Sequence, residues 1–308
     1  MSLLENSIEN YPEGIIIPLD KPYRWTSADA LRKLKWYACH HFGKKNLKVG
    51  HAGTLDPLAT GLLLICIGPA TRKAELLQAS DKEYVATVCF GATTPSYDLE
   101  KDIDETYPYD HITGDSIREM LKGFIGEQEQ VAPLFSAKQI DGKRAYELAR
   151  SLYRKGGNLD EEADKILNRQ KICINSLELL EFAPHGFGYE PALIPSGLGR
   201  NSDTKSENTA SATSDAATNS DGTASTKPSE RINVSHFAER GLPEAKIKVS
   251  CTKGTYIRAL ARDWGEALGS GAFLSGLRRT QNGGFDIADA LTIEEALNLF
   301  DPTLHPIL

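Results

Sequence analysis

The chain has 308 residues, 40% of them hydrophobic and 25% charged, with a formal net charge of −7. That length supports one large domain or two modest ones with a sizeable core, and the composition is that of a folded globular protein. No apolar run reaches the roughly 18 residues of a membrane span, and the acidic opening MSLLENSIENYPEG lacks the basic n-region of a secretory signal.

In chain order, GIIIPLDKP reads as a strand running into a turn. TSADALRKLKWYACHHF reads as an amphipathic helix capped by Thr26 or Ser27. KVGHAGTLDPLATG is loop-like and precedes an apolar run, Gly61 to Gly68, that suggests a buried strand. TRKAELLQAS suggests a second helix. KEYVATVCFGATT places Tyr84, Ala86, Val88 and Phe90 on one face, as a sheet strand does. GDSIREMLKGFIG is a helix ending at glycine, and RAYELARSLYRKGG is another, closed by Gly156 and Gly157. KICINSLELLEF gives a strand, and EAKIKVSCTKGTYIRALARDWGEALG gives a strand and then a helix from near Tyr256. There is no regular βαβ beat and hairpin-like strands recur. The expected class is therefore α+β, a largely antiparallel mixed sheet flanked by helices.

From about 197 to 230 the sequence is Ser, Thr, Asn, Ala and Asp, with one leucine and no aromatic residue. It cannot bury enough apolar surface to offset the ordering of the chain, so a disordered insertion is expected there. The organisation is otherwise read as one domain over about residues 10–300.

The acidic total hides local basic stripes. Lys21 to Lys48 holds eight Lys and Arg against Asp29 alone, and Lys246 to Arg279 holds seven against Asp263 and Glu266. Such stripes fit either a polyanion footprint or solvated helix faces. The cysteines (39, 66, 89, 173 and 251) form no CxxC pair, which favours reduced thiols in a cytosolic protein.

The chemistry concentrates in the loop. Asp56 lies among glycines and is biased toward extended geometry by Pro57. A carboxylate there can be a nucleophile, a general base or a metal ligand. It can equally be a turn residue bonded to its own backbone, the common role of Asp before Pro. His51, with Cys39, His40 and His41, hints at metal, but those three are consecutive on a helix and point apart, and no spaced ligand pair completes a site. Gly50–Thr54 lacks the Gly-Lys-Ser/Thr ending of a phosphate loop.

KVGHAGTLDPLATGLLL resembles the signature loop of the TruB-type tRNA pseudouridine(55) synthases. Further blocks resemble that family in its order: GIIIPLDKPYRWTS, KEYVATVCFGATTPSYDLEKD, QVAPLFSAKQIDGKRAYELAR, and VSCTKGTYIRALARDWGEALGSGAFLSGLRRTQNGGF, spanning about Gly14 to Phe285. The resemblance implies a pseudouridine synthase fold and isomerisation of the uridine at position 55 in the tRNA T-loop. Asp56 aligns with the nucleophile, Arg258 with the arginine paired to it, and Tyr84 with the tyrosine on the target base. His51 aligns with the histidine that holds the flipped-out T-loop, and Tyr256 and Leu277 with base-pocket residues. Lys21 and Pro22 match the turn that braces the active-site loop, and Lys21 is counted among the substrate-binding residues. The resemblance implies no cofactor and a tRNA partner; no metal, no membrane, a monomer and a cytoplasmic location are expected beside it. Gln139 stands where the family has a lysine, the stretch after the Ala-Arg helix is long, and little chain remains for the C-terminal PUA domain of many relatives. Two other classes remain: an RNA-binding module without catalysis, and a glycosidase-type hydrolase, which needs a second carboxylate near Asp56.

Overall fold

A computed structural model of the chain describes residues 3–136, 169–187 and 241–300, with isolated positions between those segments. The strands, in chain order, are β1 (Ile15–Lys21), β2 (Val49–Ala52), β3 (Ala59–Ile67), β4 (Lys82–Phe90), β5 (Ala92–Thr93), β6 (Glu105–Thr106) and β7 (Gly126–Gln130). They continue with β8 (Gln139–Ile140), β9 (Lys143–Arg144), β10 (Gln170–Ala183), β11 (Glu244–Cys251), β12 (Ala272–Asn282) and β13 (Phe285–Asp286). The α-helices are α1 (Ser27–His41), α2 (Ala74–Ala79), α3 (Gly114–Lys122), α4 (Ile257–Ala267) and α5 (Ile293–Leu297).

One sheet organises these residues, in the order β1-β3-β12-β4-β11-β10-β7, with β2 added to β3 and β13 to β12. Every pairing in it is antiparallel except β12 with β3. The α+β, largely antiparallel expectation holds. The parallel pair has a local cause. Gly61 has φ +97°, and a Cβ on it would sit 2.3 Å from the Arg279 carbonyl oxygen, so only glycine lets the two backbones approach this closely.

Helix α1 starts where its sequence says. The Thr26 hydroxyl accepts from Asp29 N at 3.0 Å and Asp29 Oδ2 accepts from Thr26 N at 3.1 Å, a reciprocal cap. Its buried face runs through Ala30, Leu34, Tyr37 and Ala38 at helical spacing. On α4 the same spacing buries Ile257, Leu260, Ala261 and Trp264. These faces close over Ile17, Leu19, Leu63, Ile65, Ala86, Val88 and Val249 of the sheet, forming the main core. Leu62 and Leu64 turn the other way, into a smaller cluster with Ala52. β3 is thus buried on both faces, which is why it reads as an unbroken apolar run.

Three boundaries differ from expectation. The His51 stretch forms β2 rather than loop, because Val49–Ala52 pairs with the second half of β3, from Leu64 to Ile67. β3 begins at Ala59, ahead of Gly61. The expected second helix opens as a 3-10 turn over Gly68–Lys73, with Pro69 in its first turn. Most of RAYELARSLYRKGG and all of 197–230 lie outside the described residues. All five cysteines are free thiols, with Cys66, Cys89 and Cys251 buried. Among the described residues no helix is long and apolar enough to cross a membrane.

Candidate active site

Asp56 sits in the link between β2 and β3, and buried side chains hold that link from behind. Asn282 Nδ2 donates to Ala52 O at 3.2 Å, and Arg279 Nη2 donates to Gly53 O at 2.9 Å. The Ser27 hydroxyl accepts from Leu55 N at 2.9 Å and lies 3.1 Å from Leu55 O. Lys21 Nζ donates to Trp25 O at 2.6 Å, Pro22 O at 3.0 Å and, directly after Asp56, Pro57 O at 3.4 Å. A link outside the sheet ladder must satisfy its buried carbonyls in some other way. Here side chains from β1, α1 and β12 do it and fix where Asp56 points.

The Asp56 carboxylate is 40% exposed and faces a guanidinium. Arg258 Nε, on the first turn of α4, lies 3.0 Å from Asp56 Oδ2. The pair is a close ion contact rather than an aligned hydrogen bond, since among the described residues Nε finds no acceptor within hydrogen-bond geometry. The Arg258 side chain is 5% exposed, and its other nitrogens are occupied. Nη2 donates to Phe135 O at 2.8 Å, and Nη1 donates to Ser96 O at 3.1 Å and stands 3.6 Å from Asp98 Oδ2. Burial works against its charge, but the carboxylates of Asp56, Asp98 and Glu100 outweigh that and hold the guanidinium above its usual range. Burial pushes the Asp98 carboxyl up, against the pull of Arg258 and the Ser96 hydroxyl.

Beside this ion pair lies a small open cleft, lined by Asp56, Leu58, Ala59, Asp98, Leu99, Arg258 and the β12 residues Leu274 to Leu277. Its lining is mostly apolar, with Asp56, Asp98 and Arg258 as its charged groups, a common make-up for a small-molecule site.

The remaining sequence candidates take different places. Leu277 lines the cleft. Tyr84 is buried on β4, directly across from Arg279 on β12, and does not line the cleft. Burial raises its phenol, the Arg279 guanidinium opposes that, and Asp56 adds to it. Tyr256 caps α4, with its backbone gripped by Gln130 through bonds of 2.8 and 3.1 Å and its ring against the cluster of Val131, Ala132, Leu134 and Phe135. His51 is half-buried on β2; burial and then Arg279 push its imidazole down, and Nδ1 has no hydrogen-bond partner among the described residues. Lys21 needs correcting as a substrate contact. It is fully enclosed and spends its donors on three carbonyls, so it acts on the loop. The basic stripes also need trimming, because Lys21, Lys33, Arg258 and Arg279 are all buried. His40 and His41 do point apart, toward Trp36 O and Glu5 O.

Sequence reasoning gave no role to Asp98 or Asn282, offered Ser27 only as a cap of α1 and counted Arg279 only within a basic stripe. Once β12 is known to be a strand, Arg279 has a signal. Adjacent residues on a strand face opposite sides, so one member of the Arg278–Arg279 pair had to point inward. Arg278 takes the outer side and grips Asp20 at 3.1 and 2.7 Å.

The chain is similar to known proteins. Residues 40–190 match the family described as TruB family pseudouridylate synthase (N terminal domain). A Phocaeicola vulgatus protein named tRNA pseudouridine synthase B is 42% identical over 285 residues, covering 92% of each chain. A Flavobacterium johnsoniae protein of the same name is 38% identical over 298 residues, covering 96% of this chain and 99% of that one. Among solved structures, a chain of a Cbf5-Nop10-Gar1 complex superposes with a TM-score of 0.53 at 23% identity. That likeness is one of fold, and it covers 95% of this chain and 56% of the other.

Proposed function

The chain belongs to the TruB family of pseudouridylate synthases and is a tRNA pseudouridine synthase, and we propose that it isomerises the T-loop uridine of tRNA with Asp56 as the nucleophile. The observation that carries this reading is the Asp56–Arg258 contact in the mostly apolar cleft.

The reaction balances within one nucleotide. The N1–C1′ bond breaks, a C5–C1′ bond forms, C5 loses its proton and N1 gains one. No electron leaves the substrate and no outside group enters it, so the chemistry asks for a nucleophile and a shaped pocket. In this reading the Asp56 carboxylate is the attacking group, and the Arg258 guanidinium 3.0 Å away is its ion partner. The uridine must also leave its stack, at a cost of a few kcal/mol, which apolar contacts in the pocket offset. Leu277, Leu274 and Leu58 line the cleft for that role, with Tyr84 and Tyr256 close enough to feel the Asp56 charge. His51, on the strand leading into the loop, suits contact with the extruded T-loop. The reading carries with it a cytoplasmic monomer whose partner is tRNA, bound by shape and phosphate charge.

The test is release of tritium from 5-tritiated uridine in a T-arm stem-loop. Release by the native protein and none by Asp56→Asn is the expected result. Binding without release by the native protein would leave an RNA-binding module, and release that survives Asp56→Asn would overturn the nucleophile.

A further inference from the structure

The turn that carries Asp98 is held in a conformation its sequence disfavours. Tyr97 has φ +56°, in the left-handed region that residues with a Cβ seldom enter. Its N–H donates to Thr94 O at 3.0 Å, and its carbonyl accepts from Leu274 N, on the cleft wall, at 2.9 Å. The residues on either side both serve Arg258: Ser96 O accepts from Nη1, and Asp98 Oδ2 lies 3.6 Å from the same nitrogen. φ at Tyr97 is a hinge between those two groups. Returned to the common negative range, it would swing the Ser96 carbonyl and the Asp98 carboxylate apart.

A second arginine holds that hinge. The Arg262 guanidinium lies 5.1 Å from the centre of the Tyr97 ring, and Nη1 donates to the phenol oxygen at 3.3 Å. Arg262 follows Arg258 by four residues on α4, so one helix face presents both arginines to one turn. It is aimed in turn by Asp263, whose Oδ1 lies 2.8 Å from Nε and 2.7 Å from Nη2. The Tyr97 ring is buried, and neither residue lines the cleft.

We propose that Tyr97 and Arg262 are a positioning pair for the reaction: Arg262 clamps Tyr97 left-handed, which brings Ser96 and Asp98 onto Arg258 and so sets Arg258 against Asp56. This rests on the reading of Asp56 as the reacting carboxylate. Tyr97→Ala removes the clamp but keeps the Cβ that resists the conformation. Tyr97→Gly removes one carbon more but takes φ +56° freely.

Tritium release from the T-arm stem-loop, with kcat and KM separated, is measured for native protein, Asp56→Asn, Tyr97→Ala, Tyr97→Gly, Arg262→Gln and Arg262→Gln in the Tyr97→Gly background. Melting temperatures are recorded alongside. Tyr97→Ala and Arg262→Gln are expected to lower kcat about ten- to a hundredfold with KM within about twofold. Tyr97→Gly is expected to regain kcat, measured per folded protein, to within about threefold of native, and to erase most of the Arg262→Gln effect. A purely structural role predicts that melting temperatures change while kcat per folded protein stays the same in all the Tyr97 and Arg262 variants. Equal kcat for Tyr97→Ala and Tyr97→Gly, or losses confined to KM, overturns the pairing alone. An inactive native protein, or an Asp56→Asn variant as active as native, sinks the pairing together with the reading beneath it.

Discussion

Arg258 Nε stands 3.0 Å from Asp56 Oδ2 across 202 positions of sequence, and the two side chains differ sharply in exposure, 5% against 40%. The arginine is structural at its base and chemical at its tip. Phe135 O and Ser96 O fix its Nη atoms, which leaves Nε turned to the cleft. Arg258→Lys keeps the charge but cannot span those carbonyls and the carboxylates together. It should lower kcat by about a hundredfold or more. Arg258→Met also leaves Asp98 buried without its counter-charge, and should lose about 3–5 kcal/mol of stability. Tritium release and urea unfolding measure the two effects separately. A fully active Arg258→Lys would remove the guanidinium from the mechanism.

Gly61 carries the close approach of β3 to β12. A Cβ there would meet Arg279 O at 2.3 Å and Arg279 N at 2.8 Å, both backbone atoms, at a φ of +97°. No side chain can move aside, so the strands must separate. Gly61→Ala should therefore cost about 3 kcal/mol or more. It should also loosen Arg279 from Gly53 O and Leu62 O, and activity should fall beyond what the folded fraction explains. Urea midpoints, with activity normalised to folded protein, check both parts.

Local signals made parts of this molecule legible. The Thr26 cap, the alternation along β4 and the apolar β3 each depend on neighbours in sequence, and each was readable. The Asp56–Arg258 pairing was reached through resemblance, since nothing in a lone arginine on a helix announces a partner in a distant loop. β12 was not recognisable as a strand. LSGLRRTQN is polar and glycine-containing, and its place between β3 and β4 depends on pairing with both. Asp98 looked like one more residue in an acidic follow-on. Its role depends on the left-handed turn at Tyr97, which no propensity predicts.

The basic stripe from Lys21 to Lys48 divides by burial, and this is measurable as salt dependence. Lys33 is 4% exposed, whereas Lys48 is exposed and immediately precedes β2, which carries His51. Binding of a T-arm stem-loop to Asp56→Asn protein, measured over a range of salt concentrations, should show a log–log slope that becomes shallower by about one unit with Lys48→Gln. Lys33→Gln should leave the slope unchanged. Equal slopes for Lys48→Gln and its parent would exclude Lys48 from the RNA footprint.

Lys21 makes the fold sensitive to pH in an unusual direction. Burial pushes its ammonium down from 10.5 to about 7, only partly opposed by the Asp56 charge. The native state therefore releases this proton near pH 7, while the unfolded chain keeps it until about 10.5. Between those values the unfolded state binds more protons, so this group makes stability rise with pH across that window, by a few kcal/mol in all. Below pH 7 both states hold the proton, and the native fold bears the full penalty of the buried charge. Lys21→Met removes the titration along with three hydrogen bonds to the loop. Its stability at pH 7 should thus be lower or similar, and the native protein should gain on it as pH is raised from 7 to 9.5. The Pro57 carbonyl loses its donor in this variant, so kcat should fall at every pH while the difference in stability grows. Urea unfolding of both proteins at pH 7 and 9.5 decides it: parallel changes would mean that Lys21 keeps an ordinary pKa in the fold.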